Sequence, residues 1–417
     1  LGRGNERGLF IMEGHFYKPN CKCPKDAKKC TCGATWSYIL DIGIDPKTGG
    51  RKQQKKGGFK TKKDVTLAAA IVIQELDQGT FIQESDITFE KFSEEWLTYY
   101  KNTGKAKKKS TIRVREIEIA RIMKFFAKVK IKDVTRKQYQ DALISLKEKG
   151  FSESSIIGAH TTGRMIFKKA IELELIRKDP TQYAIVPKRV KTIEELEEED
   201  EILKYLEKDE LSIFLKTAKD RGLGKDYLTF LFLSYTGMRV GELCALKWKD
   251  IDFVEGSVNI TKTYYNPTNK TIAYELLPPK TKASKRKISI DEVVLEELKR
   301  HKANQNIVLM KNRSTYHDKD FIFARTVNLH GYPEHINSIE RHMRSLLKKA
   351  GLNTDLTPHS LRHTHTSLLA EAGVSLPEIM ERLGHEDAKT IIRVYRHTTK
   401  TMKKEASKKF SELMKSL

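Results

Sequence analysis

Thr236-Gly-Met-Arg-Val-Gly-Glu-Leu-Cys-Ala-Leu246, taken with His359-Ser-Leu-Arg-His-Thr364, Leu383-Gly-His385 and Tyr395, decides how this chain folds. Upstream, Leu228 to Tyr235 is an apolar helix, and Thr236-Gly237 breaks it because glycine accepts the left-handed conformation that ends helices. Met238-Arg239 opens the next helix, so Arg239 sits at a helix start, where backbone N–H groups point outward and favour an anion. Trp248 to Leu277 supplies strands, with Asn266-Pro-Thr-Asn269 as a turn. The very basic stretch Pro279-Lys-Thr-Lys-Ala-Ser-Lys-Arg-Lys287 is expected to be a hairpin. His359 and Arg362 stand at i and i+3 and so share a helix face, with Pro358 before them and Gly373 as the end. Ser375-Leu-Pro-Glu378 is a capping box with proline in the first turn; that helix stops at Gly384 and leaves His385 on a tight corner. Ten residues later Tyr395 lies on a further helix, with Ile391, Ile392 and Val394 to hold it.

Cutting a phosphodiester requires charge to be stabilised on the nonbridging oxygens as a five-coordinate phosphorus forms. Metals often do this, but no Asp/Glu cluster suited to two Mg²⁺ ions stands in the sequence. Two arginines can replace them, because the guanidinium fork offers permanently charged, bidentate donors. Two histidines can add hydrogen bonds or proton transfer. A lysine on a hairpin can protonate the departing 5′-oxygen, and a phenol can attack and store the bond energy as an ester. Each residue alone also has an ordinary reading: a core tyrosine, a capping or buried histidine, surface arginines paired with Glu242 or Glu381. His359, His363 and His365 do not share one face well, which argues against a metal there. Cys244, inside Gly241 to Leu246, reads as core.

The ordered set of Thr-Gly-Met-Arg-x-Gly-Glu-Leu, the lysine-bearing stretch, His-Ser-Leu-Arg-His-Thr, Leu-Gly-His and a tyrosine strongly resembles the tyrosine recombinase (phage integrase) family over about residues 205 to 417. The resemblance implies that Arg239, His359 and Arg362 bind the reacting phosphate, that His385 occupies the fourth such position, and that Tyr395 is the nucleophile. It implies that Glu242 supports Arg239. Lys280 is the expected general acid, with Lys282 on the same stretch as the other candidate. No cofactor is expected for the reaction. Two other functions stand beside this one: a type IB topoisomerase-like enzyme, and a non-catalytic sequence-specific DNA-binding regulator on the same scaffold.

Charge points the same way. Lys and Arg total 78 against 55 Asp and Glu, a formal +23, and a surplus that large favours polyanions, because each neutralised phosphate releases condensed counterions. No apolar run reaches the ~18 to 20 residues a membrane span requires. No signal-peptide pattern opens the sequence, so a cytoplasmic, nucleoid-associated protein without membrane partners is expected.

Residues 1 to 11 read poorly as structure. Residues 12–80 read as a small α+β module: a strand over Trp36 to Ile44, a turn through Asp45-Pro-Lys-Thr-Gly-Gly50, a basic strand from Arg51 to Lys60, then a helix from Lys62 with Val65, Ala69, Val72 and Leu76 at helical spacing. A three-stranded sheet backed by one helix can lay its strands in a major groove, with Arg51, Lys52 and Lys55 as candidate contacts. Four of the five cysteines fall here, Cys21, Cys23, Cys30 and Cys32, in a C-x-C-x6-C-x-C pattern suited to a structural Zn²⁺. Residues 86–183 read as an all-helical bundle with a basic joint at Lys105 to Lys109, of which Lys107, Lys108 and Lys109 are candidate DNA contacts, and Ser110 as the next N-cap. An acidic run places a linker at 187–207, and 208–417 follows as a mainly helical catalytic domain with a small antiparallel sheet. There Lys282, Lys285 and Arg286 are further candidate DNA contacts.

By the same resemblance, 12–80 is similar to the arm-binding domain of lambda-like integrases through Trp36-Ser-Tyr, Asp45-Pro-x-Thr-Gly and Gly58-Phe-x-Thr-Lys, and 86–183 to the core-binding domain. The resemblance then implies binding to double-stranded DNA at core and arm sites, a homotetramer in synapsis, and an excisionase and a DNA-bending protein as candidate accessory partners. The basic tail from Lys400 is expected to form a helix that docks on a neighbouring protomer.

Overall fold

The computed structural model describes residues 14–24, 32–44, 49–103, 108–188, 205–279, 281, 283–384, 410–412 and 414–415. The chain divides into two compact units, Leu1–Val190 and Lys191–Leu417.

The first unit begins with an antiparallel sheet in the order β1 (His15–Tyr17), β2 (Trp36–Ile44), β3 (Arg51–Phe59). Helix α1 (Lys62–Asp77) covers one face, burying Tyr38 and Leu40 against Val65 and Ala69. Thr61 and Asp64 form a capping box that starts α1 where the β3 chain must turn. The two long strands and the helix follow the sequence pattern. β1 spans only three residues, too few for alternation to show.

Four helices follow: α2 (Phe89–Asn102), α3 (Lys109–Phe126), α4 (Arg136–Glu148) and α5 (Glu153–Glu172). Their apolar stripes close on Phe89, Trp96, Ile122, Phe126, Tyr139 and Phe167. The aromatic stripes are therefore core, and Thr88, Thr135 and Ser152 cap their helices. Ser110 does not: Lys108 is the N-cap residue of α3, and Ser110 lies inside the helix.

The second unit contains α6 (Lys208–Arg221), α7 (Asp226–Thr236), α8 (Val240–Cys244), α9 (Glu292–Lys311), α10 (Ile336–Ala350), α11 (Pro358–Glu371) and α12 (Leu376–Leu383). Its strands are β4 (Ile251–Asp252), β5 (Ser257–Ile260), β6 (Thr263–Tyr265), β7 (Glu275–Leu277) and β8 (Arg286–Ser289). Helix α7 is apolar on nearly every side, with Leu228, Phe230, Leu231, Phe232 and Leu233 all buried, and the rest of the unit packs around it. Tyr205 and Leu206 are already buried in this core, and the Leu206 N–H donates to Thr364 Oγ1 at 2.9 Å.

The basic stretch is not a hairpin folded on itself. β7 pairs with β6, whereas β8 pairs with β5, so Pro279 to Lys285 connects two separate sheets. Most of the stretch expected to be an acidic linker, 189–204, and most of the tail lie outside the described residues.

Candidate functional site

Three segments distant in sequence meet where α7 ends. Gly237 terminates α7 with φ +60°, and a Cβ there would meet His365 Cδ2 at 2.5 Å, so glycine answers both the conformation and the close approach. Arg239 is then the N-cap residue of the five-residue α8. Glu242 in that helix reaches back: its Oε2 accepts from the Arg239 N–H at 3.0 Å and its Oε1 from Arg239 Nη1 at 2.9 Å. Glu242 is buried while the Arg239 side chain is 39% exposed, so the pair holds a guanidinium with one side toward solvent. Burial alone would raise the Glu242 pKa, but Arg286 and Arg239 outweigh it and hold the carboxyl below its ordinary range.

Arg362 comes from the second turn of α11 and is 2% exposed. Its Nη1 donates to the Gly237 carbonyl and its Nη2 to the Leu383 carbonyl, both at 2.7 Å. Those carbonyls lie two residues before Arg239 and two before His385, so one side chain ties the start of α8 to the end of α12. Burial, with Arg239 and Arg286 adding positive charge, pushes Arg362 down to about 9, which leaves it charged at neutral pH.

His359 stands one turn earlier on the same face, with its ring at the surface and edge-on to His363 at 4.9 Å. Desolvation by the surrounding protein, then Arg362 and Arg239, lower its pKa. Burial, then His359 and Arg362, push His363 down to about 4. His365 points inward instead: its Nδ1 meets the Ser234 carbonyl at 2.8 Å and its Nε2 accepts from Arg382 Nε at 3.1 Å. His365 thus diverges from His359 and His363, which pack ring to ring.

Arg286 overturns an expectation. Read from sequence as a DNA contact, its side chain is only 4% exposed and bonds to Glu242, the Ser284 carbonyl and the Arg382 carbonyl. The signal was present: Arg286 and Ile288 share the buried face of β8, alternating with the exposed Lys287 and Ser289. Arg382 and His365 were missed because neither has a pattern of its own; only the fold brings Arg382 onto the Tyr235 and Ser289 carbonyls. Lys285 is exposed. Lys280, Lys282, His385, Tyr395, Lys107 and Cys30 lie outside the described residues.

Residues 204–402 match the phage integrase family, 88–146 the N-terminal SAM-like domain of phage integrases, and 26–76 an arm DNA-binding domain. A probable integrase of prophage ps2 in Lactococcus lactis is 30% identical over 332 residues, spanning 76% of this chain and 81% of that one. The chain belongs to the phage integrase family. The integrase of Staphylococcus phage L54a is 28% identical across 82% of this chain and 97% of its own. The ICEBs1 integrase of Bacillus subtilis is 26% identical across 90% and 97%. Two solved structures share the fold: the Tn1549 transposon integrase in complex with transposon right end DNA (TM-score 0.61, 23% identity, 78% of this chain and 100% of that one), and a lambda integrase dimer bound to a COC′ core site (TM-score 0.53, 18%, 90% and 95%). This integrase is therefore an enzyme of the tyrosine recombinase class, and neither the topoisomerase nor the regulator function is favoured.

In the first unit, the integrase presents Arg51, Lys52 and Lys55 as exposed residues of β3. Lys55 pairs across from Ile39, on the sheet face opposite Tyr38 and Leu40 and so away from α1. Lys108 and Lys109 stand at the start of α3. Between β1 and β2, the sulfurs of Cys21, Cys23 and Cys32 lie within 4.8 Å of one another, with Cys21 and Cys32 3.6 Å apart. That is far beyond a disulfide at ~2.05 Å and close to the sulfur–sulfur edge, roughly 3.8 Å, of a tetrahedron with ~2.3 Å metal–sulfur bonds. The three thiols could hold a metal ion. Among the described residues, no helix is long and apolar enough to cross a membrane.

Proposed function

We propose that this integrase cleaves and rejoins duplex DNA by transesterification, with Tyr395 attacking the scissile phosphorus and the 5′-oxygen leaving as a 3′-phosphotyrosyl bond forms. In this reading Arg239 and Arg362 neutralise the nonbridging oxygens, neutral His359 donates a hydrogen bond to them, and His385 supplies the fourth contact. Lys280, or Lys282 beside it, protonates the leaving oxygen. Glu242 holds Arg239. The observation that supports the reading is Arg362 bonded to both Gly237 and Leu383, which ties the chain just before Arg239 to the last turn of α12. Rejoining reverses the step with a 5′-hydroxyl as nucleophile, so the bond energy is conserved and no cofactor takes part.

The same proposal assigns residues 12–80 to arm-site DNA, 86–183 and 208–417 to the core site, and 187–207 to a linker between them. Arg51, Lys52, Lys55, Lys107, Lys108, Lys109, Lys282 and Lys285 contact phosphates. Four protomers synapse two duplexes, the tail helix links neighbours, and the outcome is integration or excision of a mobile element. An excisionase and a DNA-bending protein set the direction, and the enzyme works on the nucleoid. Cys21, Cys23 and Cys32, with Cys30 as the fourth ligand, bind a structural Zn²⁺ that would fix the β1–β2 connection.

Recombination between plasmids carrying the element's joined ends and its insertion locus tests the reading. Wild type should recombine them, whereas Tyr395→Phe should bind both by gel shift and recombine neither. Recombination by the variant at the wild-type rate overturns the proposal.

A further inference from the structure

The Glu242 carboxylate serves two arginines that differ in access. Arg286 Nη2 donates to Oε2 at 3.0 Å and Nη1 approaches Oε1 at 3.4 Å, while Arg239 Nη1 and the Arg239 N–H take the other lone pairs. Arg239 is 39% exposed in its side chain; Arg286 is 4% exposed and cannot reach a phosphate. Nor is Arg286 a cheap way to fill space. It adds positive charge beside Arg362 and Arg382, and one carboxylate does not neutralise the group. What it supplies is geometry: with both carboxylate oxygens met by one planar fork, Glu242 has a single orientation in which to hold Arg239. The third arm, Nε to the Arg382 carbonyl at 2.8 Å, ties β8 to the last turn of α12, next to the Leu383 carbonyl that receives Arg362.

We infer that Arg286 is a positioning residue for the proposed cleavage step, locking Glu242 so that Arg239 is aimed at the reacting phosphate. The inference rests on the transesterification reading above. It differs from a role in folding alone, which would lower the rate irrespective of what stands at position 239.

The test is a double-mutant cycle on single-turnover cleavage of a nicked core-site duplex at saturating DNA, using the full chain. Arg286→Met should lower the rate roughly 10- to 100-fold, as when a supporting partner that orients a functional side chain is lost, with the DNA Kd changed by less than about 3-fold. Arg239→Lys keeps a cation but loses the fork that Glu242 orients, so adding Arg286→Met to it should cost less than about 3-fold more. Arg286→Lys, which keeps the charge without the planar fork, should restore part of the rate, and it carries the same cycle if Arg286→Met does not fold. A wild-type rate in the Arg286 variants, or losses that multiply in the double variant, overturns the inference. Absence of any covalent complex with wild type would instead overturn the transesterification reading.

Discussion

Arg362 and Leu383 are joined by a 2.7 Å hydrogen bond from guanidinium Nη2 to backbone carbonyl, while the other arm of the same fork reaches Gly237. A lysine has one point charge and cannot span both carbonyls. Arg362→Lys should therefore lower cleavage by at least about 100-fold and, by leaving a buried carbonyl unpaired, destabilise the fold by about 1–3 kcal/mol. Single-turnover cleavage and denaturant unfolding check the two effects separately. Loss of rate without loss of stability would mean that the tie to Gly237 and Leu383 contributes nothing to the fold.

Gly237 is a more severe test of the packing than of the chemistry. Its φ of +60° and the 2.5 Å approach of His365 to the place of a Cβ make alanine strained in two ways. Gly237→Ala should cost about 2–4 kcal/mol, read as a lower denaturation midpoint with an unchanged m-value. A cost below about 1 kcal/mol would contradict the geometry.

His365 makes stability depend on pH. Burial first, then Arg382 and Arg362, push it down to about 3, against only a partial offset from the Ser234 carbonyl. Its folded pKa lies below the unfolded value of about 6.5, so the fold refuses a proton that the unfolded chain accepts. Stability is thus complete above about pH 6.5 and falls as pH drops toward 3, by up to ~1.4 kcal/mol per pH unit from this residue. Urea unfolding at several pH values should show that slope, and His365→Gln should flatten it while lowering stability at neutral pH. An unchanged slope in the variant would sink the assignment.

The sequence made much of this legible, for reasons that can be named. Helix ends are local chemistry, so Gly237, the Ser375–Glu378 box and Gly384 stood out before any fold was known. Arg239, His359 and Arg362 were legible as motif positions, and their convergence at the end of α7 could be expected but not measured. Arg286 was misread because a run of lysines and arginines suggests solvent; its burial depends on β8 pairing with β5, a contact across 25 residues or more of intervening chain. The hairpin failed for the same reason, since β7 and β8 turned out to belong to different sheets. β1 was too short to carry a pattern, and Ser110 lost the cap to the basic residue two before it.

The cysteine cluster gives a prediction independent of the cleavage centre. Purified protein should contain about one zinc per chain, and a chelator should melt the arm-type module at a lower temperature while leaving the second unit's transition in place. Cys23→Ser should reproduce the loss. A metal-free protein with an unchanged first transition would remove zinc from the account.

The covalent bond to Tyr395 is the central claim, and one measurement reaches it. A duplex nicked just beyond the scissile phosphate loses a short fragment on cleavage and cannot be resealed, so any tyrosyl intermediate accumulates. Mass spectrometry of the trapped complex after digestion should place the nucleotide on the peptide containing Tyr395, and Tyr395→Phe should yield no adduct while still shifting the DNA. An adduct on another residue, or equal trapping by the variant, would contradict the account.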